Sequence, residues 1–120
     1  MEPQRTAPGM TLSPEDQKLV TLARASRART QSPRGAAVRD LDGRTYVATS
    51  VTLPSLDLSA LDLAVAMAIS SGATGLEAGA VVTTRGGAIV DLSTVREMAG
   101  KDVPVYLAHD DGTIVSVRAS

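Results

Sequence analysis

His109 stands directly before Asp110 and Asp111, the only place in this 120-residue sequence where an imidazole and carboxylates adjoin as a divalent cation would require. A protein zinc centre needs three or four nitrogen, sulfur or carboxylate donors in a fixed geometry. The chain has one His and no Cys, so no second imidazole and no thiolate can complete such a set. The segment therefore reads as an exposed polar turn. A serine nucleophile would need the same histidine as its base, and the Gly-x-Ser-x-Gly turn that presents such a serine does not occur. Arg85-Gly86-Gly87 is too short to cradle a phosphate and is not followed by Gly-Lys-Ser/Thr, so it too reads as a turn.

Arginines supply the remaining candidate chemistry. Arg24, Arg27, Arg29, Arg34, Arg39 and Arg44 crowd the first part of the chain: residues 1–49 hold eight basic against five acidic groups, net +3, and residues 50–120 hold four against eight, net -4. Binding of single-stranded nucleic acid combines such charge with aromatic rings on which bases stack. Only Tyr46 lies among these arginines, and the chain has no Phe and no Trp. Charge without stacking groups supports at most weak nucleotide or RNA binding that fades as salt rises. A self-complementary oligomer or ordinary solvated faces account for the same asymmetry.

The composition is that of one globular domain, with 43% hydrophobic and 21% charged residues. Its core must be assembled from Val, Leu, Ile, Ala and Met, small in volume per residue, and self-association is an expected source of further stability. Without cysteine no disulfide framework is available. The polar N-terminus lacks the apolar run of a signal peptide, and no segment reaches the roughly 20 apolar residues of a membrane span. A soluble cytoplasmic protein without a membrane partner is expected.

The elements that must position these residues follow from local signals. Residues 1–12 have no periodicity and read as a disordered tail, with the domain spanning 13–120. Ser13-Pro14-Glu15-Asp16 combines a capping hydroxyl, a proline at the first helical position and acids in the first turn. It opens a helix that ends near Arg29 and has Leu19, Leu22, Ala23 and Ser26 on one face. Residues 35–38 and 44–49 flank Asp40-Leu41-Asp42-Gly43, and the two-residue Asp-Gly between β-type runs signals an antiparallel hairpin. After Pro54, residues 57–71 read as a helix that is apolar nearly all round between Ala60 and Ile69, ended by Gly72. Residues 78–84 form a strand apolar on both faces, suited to the middle of a covered sheet. A short helix runs from Ser93 as N-cap to Met98, stopped by Gly100. Two β segments, 103–108 and 113–118, join through Asp110-Asp111-Gly112. The order α-β-β-α-β-α-β-β predicts an α/β domain with a five-stranded mixed sheet and helices on its faces.

In this order and spacing the chain resembles the small homo-oligomeric cytidine deaminases, which begin their first strand with Gly-Ala-Ala before an Asp-Gly hairpin, here Gly35-Ala36-Ala37 and Asp42-Gly43. The family's Cys-Ala-Glu motif opens a helix that runs through spaced alanines to a glycine, and Ser59-Ala60-Leu61 with Ala64, Ala68 and Gly72 occupies that frame. Its Pro-Cys-x-x-Cys-Arg-Gln motif falls on Asp91-Leu92-Ser93-Thr94-Val95-Arg96-Glu97, with only the arginine kept. The likeness covers about Leu12 to Ser116, and it lies in the order of the motifs more than in any one of them.

The resemblance implies a three-layer α-β-α fold, a homo-oligomer (dimer or tetramer), and a zinc-activated hydroxide with a Glu as proton shuttle. Here Ser59, Leu92 and Val95 stand at the ligand positions and Leu61 at that of the glutamate. The residue after that glutamate, often an arginine in the family, is Asp62. The ribose-holding Asn-x-Glu falls on Ser50-Val51-Thr52, and the neighbouring stacking aromatics are absent. Neither a leucine nor a valine offers a lone pair to zinc, and leucine carries no proton. The expectation is a deaminase-like protein without zinc or any other cofactor and without deaminase activity, in a structural or regulatory role, with Ser50, Thr52, Ser59, Leu61, Leu92, Val95 and Arg96 as the remnant of the pocket. The alternative is a nucleotide- or RNA-binding module that uses the basic first helix and hairpin, with Arg24, Arg27, Arg29 and Arg34 as its surface.

Overall fold

The computed structural model describes residues 11–84 and 89–120. Helix α1 (Pro14–Thr30) starts where its cap predicts: the Ser13 hydroxyl accepts from the Asp16 amide at 3.2 Å, and Pro14 occupies the first position. Glu15 and Asp16 sit at the positive end of its dipole and Arg27 and Arg29 at the negative end. It turns off at Gln31, which takes a left-handed conformation with φ 56°. Leu19, Val20, Ala23 and Ser26 are its buried stripe, while Leu22 is half-buried. Leu12, assigned to the tail by sequence, packs partly buried against the same cluster.

Five strands form one mixed sheet in the order β2-β1-β5-β6-β7. They are β1 (Arg34–Asp40), β2 (Thr45–Thr49), β5 (Leu76–Thr83), β6 (Pro104–His109) and β7 (Ile114–Ala119). β1 pairs antiparallel with β2 and β5, β5 runs parallel to β6, and β6 pairs antiparallel with β7. Alternate residues serve opposite layers. Ala37, Ala78, Ala80, Val82, Ala108 and Ile114 pack with α1, whereas Ala36, Val38, Val81 and Val105 pack on the other side with α2 (Ala60–Ser70) and α3 (Ser93–Ala99). Helices thus cover both faces, and β5 is central and buried on both, as its sequence predicts. Small residues open β1 because α1 lies very close: a Cβ on Gly35 would stand 2.2 Å from the Ala23 carbonyl oxygen. Among the described residues no helix is long and apolar enough to cross a membrane.

The first hairpin differs from the two-residue reading. Asp40 N donates to Arg44 O at 2.9 Å and Gly43 N to Asp40 O at 3.1 Å, which encloses Leu41-Asp42-Gly43 as a three-residue loop with Gly43 at φ 86°. His109, Thr113 and Gly112 (φ 91°) repeat that pattern around Asp110-Asp111-Gly112. A turn followed by a left-handed residue is the common three-residue solution, and glycine adopts that φ without steric cost. In the first loop the Asp40 carboxylate, 1% exposed, accepts from the Asp42 and Arg44 amides and from the Tyr46 hydroxyl.

Burial pushes the Asp40 carboxyl up, but those hydrogen bonds outweigh it and hold its pKa below the ordinary 3.8. A depressed carboxyl contributes stability above its unfolded pKa and loses it as pH falls through the folded value. Acidification below about pH 4 is therefore expected to lower the melting temperature, and Asp40→Asn to flatten that acid limb. The flattening is partial, since Asp91, bonded by Ser93, and Asp111, bonded by Thr113, are lowered in the same direction. A variant whose acid limb is as steep as the parent's would remove Asp40 from this role.

Between β2 and α2 the sequence reading is corrected. Residues expected to start the helix at Asp57 form instead a separate antiparallel hairpin, β3 (Val51–Leu53) with β4 (Leu56–Leu58), and α2 starts at Ala60. The short alternations Val51-Thr52-Leu53 and Leu56-Asp57-Leu58 have the strand period, and Pro54-Ser55 turns between them. Ser59 is the cap, its hydroxyl accepting from the Asp62 amide at 3.0 Å. One face of α2, Ala60, Leu61, Ala64, Val65 and Ala68, enters the core. On the rest of the helix Met67 is 38% and Ile69 52% exposed.

α3 also begins differently. Ser93 is its first residue rather than its cap, and the cap position, Leu92, makes no side-chain bond. Asp91 does the polar work, one carboxylate oxygen accepting from both the Ser93 amide and hydroxyl at 2.9 and 2.6 Å. Gly100 ends the helix as expected.

Candidate functional site

The N-terminal end of α2 faces the segment that leads into α3, and a cavity of about 150 Å3 lies there. Its polar lining is Arg34, Ser59, Asp62 and Asp91, and its apolar lining includes Leu61, Val81 and Val90. Each wall follows from local structure. Ser59 and Asp62 are there because a hydroxyl cap must precede the helix and an acid suits its first turn. Arg34 is there because β1 starts beside that end, and Asp91 because it caps α3.

Of the positions that the resemblance aligns with zinc ligands and the proton shuttle, Ser59 and Leu61 line this cavity. Leu92 and Val95 lie in the core cluster that also holds Ala60, Leu61, Ala64 and Val90. Leu61, Leu92 and Val95 are 2%, 5% and 1% exposed. The Ser59 hydroxyl, already accepting from a backbone amide, is a poor zinc donor at neutral pH, and the three aliphatic chains offer none. Among the described residues no three of His, Cys, Asp and Glu gather as a metal would need. The groups present do not fit a zinc ion.

The other expected pocket residues fall elsewhere. Ser50 is half-buried and donates its amide to Arg34 O at 3.4 Å, but does not line the cavity. Thr52 is exposed on the separate hairpin, opposite Asp57. Arg96 is exposed on α3 outside the cavity, where its charge helps, after the Ser93 hydrogen bonds, to lower the Asp91 carboxyl. Ser50, Thr52 and Arg96 thus lie apart from the cavity that Ser59 and Leu61 line. Arg34, Asp62 and Asp91 were missed as its walls, since no local pattern reveals that the start of a strand will meet the start of a helix.

The basic residues do not assemble into one surface. Arg24 Nε donates to Asp110 O at 2.9 Å and Arg27 Nη1 to Ser32 O at 3.2 Å, so both tie α1 to neighbouring loops. Arg29 is exposed, and Arg34 faces the cavity at the opposite helical layer. Arg39 bridges Asp16 and Glu77 at 2.9 and 2.7 Å, and Arg44 lies 3.8 Å from Asp42. Tyr106, the second aromatic, donates its hydroxyl to Asp16 at 2.5 Å, and burial together with that bond raises it to about 12, which keeps it protonated. This polar cluster fastens the first turn of α1 to the sheet. His109 ends β6 half-buried, and the Asp111 carboxylate accepts from the Thr113 amide, so His109-Asp110-Asp111 serves a turn. Arg85-Gly86-Gly87 lies outside the described residues.

Comparison with known proteins places this geometry. The family model described as cytidine deaminase-like matches residues 12–112. Among solved structures, a cytidine deaminase from Burkholderia pseudomallei is similar with a TM-score of 0.70 and 23% identity over 92% of each chain. A cytidine deaminase from Mycobacterium leprae is similar with a TM-score of 0.65 and 20% identity over 85% of this chain and 90% of that one. Identities this low speak for the fold. No curated protein matches the chain. The family match spans nearly the whole domain, and the chain belongs to the cytidine deaminase-like family.

Proposed function

We propose that this chain is a non-catalytic member of its family, in which the fold is kept for a structural or regulatory role and the zinc chemistry is gone. The supporting observation is the burial of Leu61, Leu92 and Val95 in one apolar cluster at the helix starts where metal and proton shuttle would be needed. A hydrocarbon side chain neither binds Zn2+ nor carries a proton, and the single hydroxyl at Ser59 is committed to its helix. No cofactor is assigned.

The purified protein is expected to hold no stoichiometric zinc and to release no ammonia from cytidine. Elemental analysis and an ammonia assay with and without added zinc measure both. One zinc per chain, or turnover that a chelator abolishes, would overturn the proposal.

The same reading includes self-association as a dimer or tetramer. Its support is the exposed part of α2, where Met67 and Ile69, on opposite flanks of the helix, stand in water and only Asp62 is charged. Light scattering at micromolar concentration is expected to give two or four times the mass of the 12.4 kDa chain. A monomer would end this part of the reading while leaving the loss of chemistry untouched.

A further inference from the structure

We draw no further inference here: the strongest candidate, the open groove of about 330 Å3 between the C-terminal end of α2 and α3, lined by Ile69, Thr94, Glu97 and Met98, is a partly apolar surface without a partner, and nothing in the structure shows what covers it.

Discussion

Leu61→Glu, which puts a carboxylate where the resemblance places the family's glutamate, is expected to unfold the domain or to destabilise it by about 4 kcal/mol or more. Leu61 is 2% exposed and packs among Ala60, Ala64, Val90, Leu92 and Val95. Its replacement loses the burial of a leucine, roughly 2 kcal/mol, and brings a carboxylate into an apolar cluster without a thiolate in a chain that has no cysteine. Arg34 lines the cavity beside it and is the one cation among its described lining residues, which limits but does not cancel the desolvation of the new charge. Against a total stability of about 5–15 kcal/mol, the loss should appear as a large fall in melting temperature.

The sign of the pH dependence separates charge from shape. A buried carboxyl has a raised pKa, so its penalty is small while it is protonated and grows as pH rises past the unfolded value near 4. Leu61→Gln, of similar size and uncharged, should be destabilised without that pH dependence. A Leu61→Glu protein as stable as its parent at neutral pH would mean that the pocket still welcomes charge, and the proposed loss of chemistry would be weakened.

How far the fold was legible depended on whether its signals were local. α1 was readable because cap, proline and acids occur in adjacent positions, and β5 because a run apolar on both faces has one natural place in a sheet. The hairpin over residues 51–58 went unread, with Asp57 and Leu58 given to the helix, because each strand is only three residues long, too short for a period to stand out beside the apolar run of α2. The loop of the first hairpin was miscounted because one glycine signals both two- and three-residue turns, and the Asp40 hydrogen bonds that favour the longer one cross between neighbouring residues in space. The pocket divides in the same way. Ser59 and Leu61 were placed by their frame at a helix start, whereas Arg34 joins them through packing that no spacing encodes. Ser50 and Thr52 were carried over by order alone, and the intervening hairpin takes Thr52 away.

Val65 and Met67, two positions apart on α2, are expected to answer a charge in opposite ways. Val65 is fully buried in the cluster that α2 forms with the sheet, so Val65→Asp loses its packing and strands a carboxylate there, and it is expected to unfold the chain. Met67 is 38% exposed on the outer side. Met67→Lys keeps a long aliphatic stem for the covered part of the side chain and sets a cation in the C-terminal half of a helix whose last turn has no basic residue, where the dipole favours it. The fold of the single chain should keep its stability to within about 0.5 kcal/mol. A subunit interface across this face would instead have to desolvate the new ammonium twice in a symmetric pair, a cost of several kcal/mol per ion. Met67→Lys should therefore give a folded protein of lower mass in light scattering, with an unchanged circular dichroism spectrum, and Ile69→Lys should do the same. Met67 and Ile69 lie on opposite flanks of the buried face, so retention of the parent's oligomeric mass in both variants would move the interface away from the exposed part of α2 altogether.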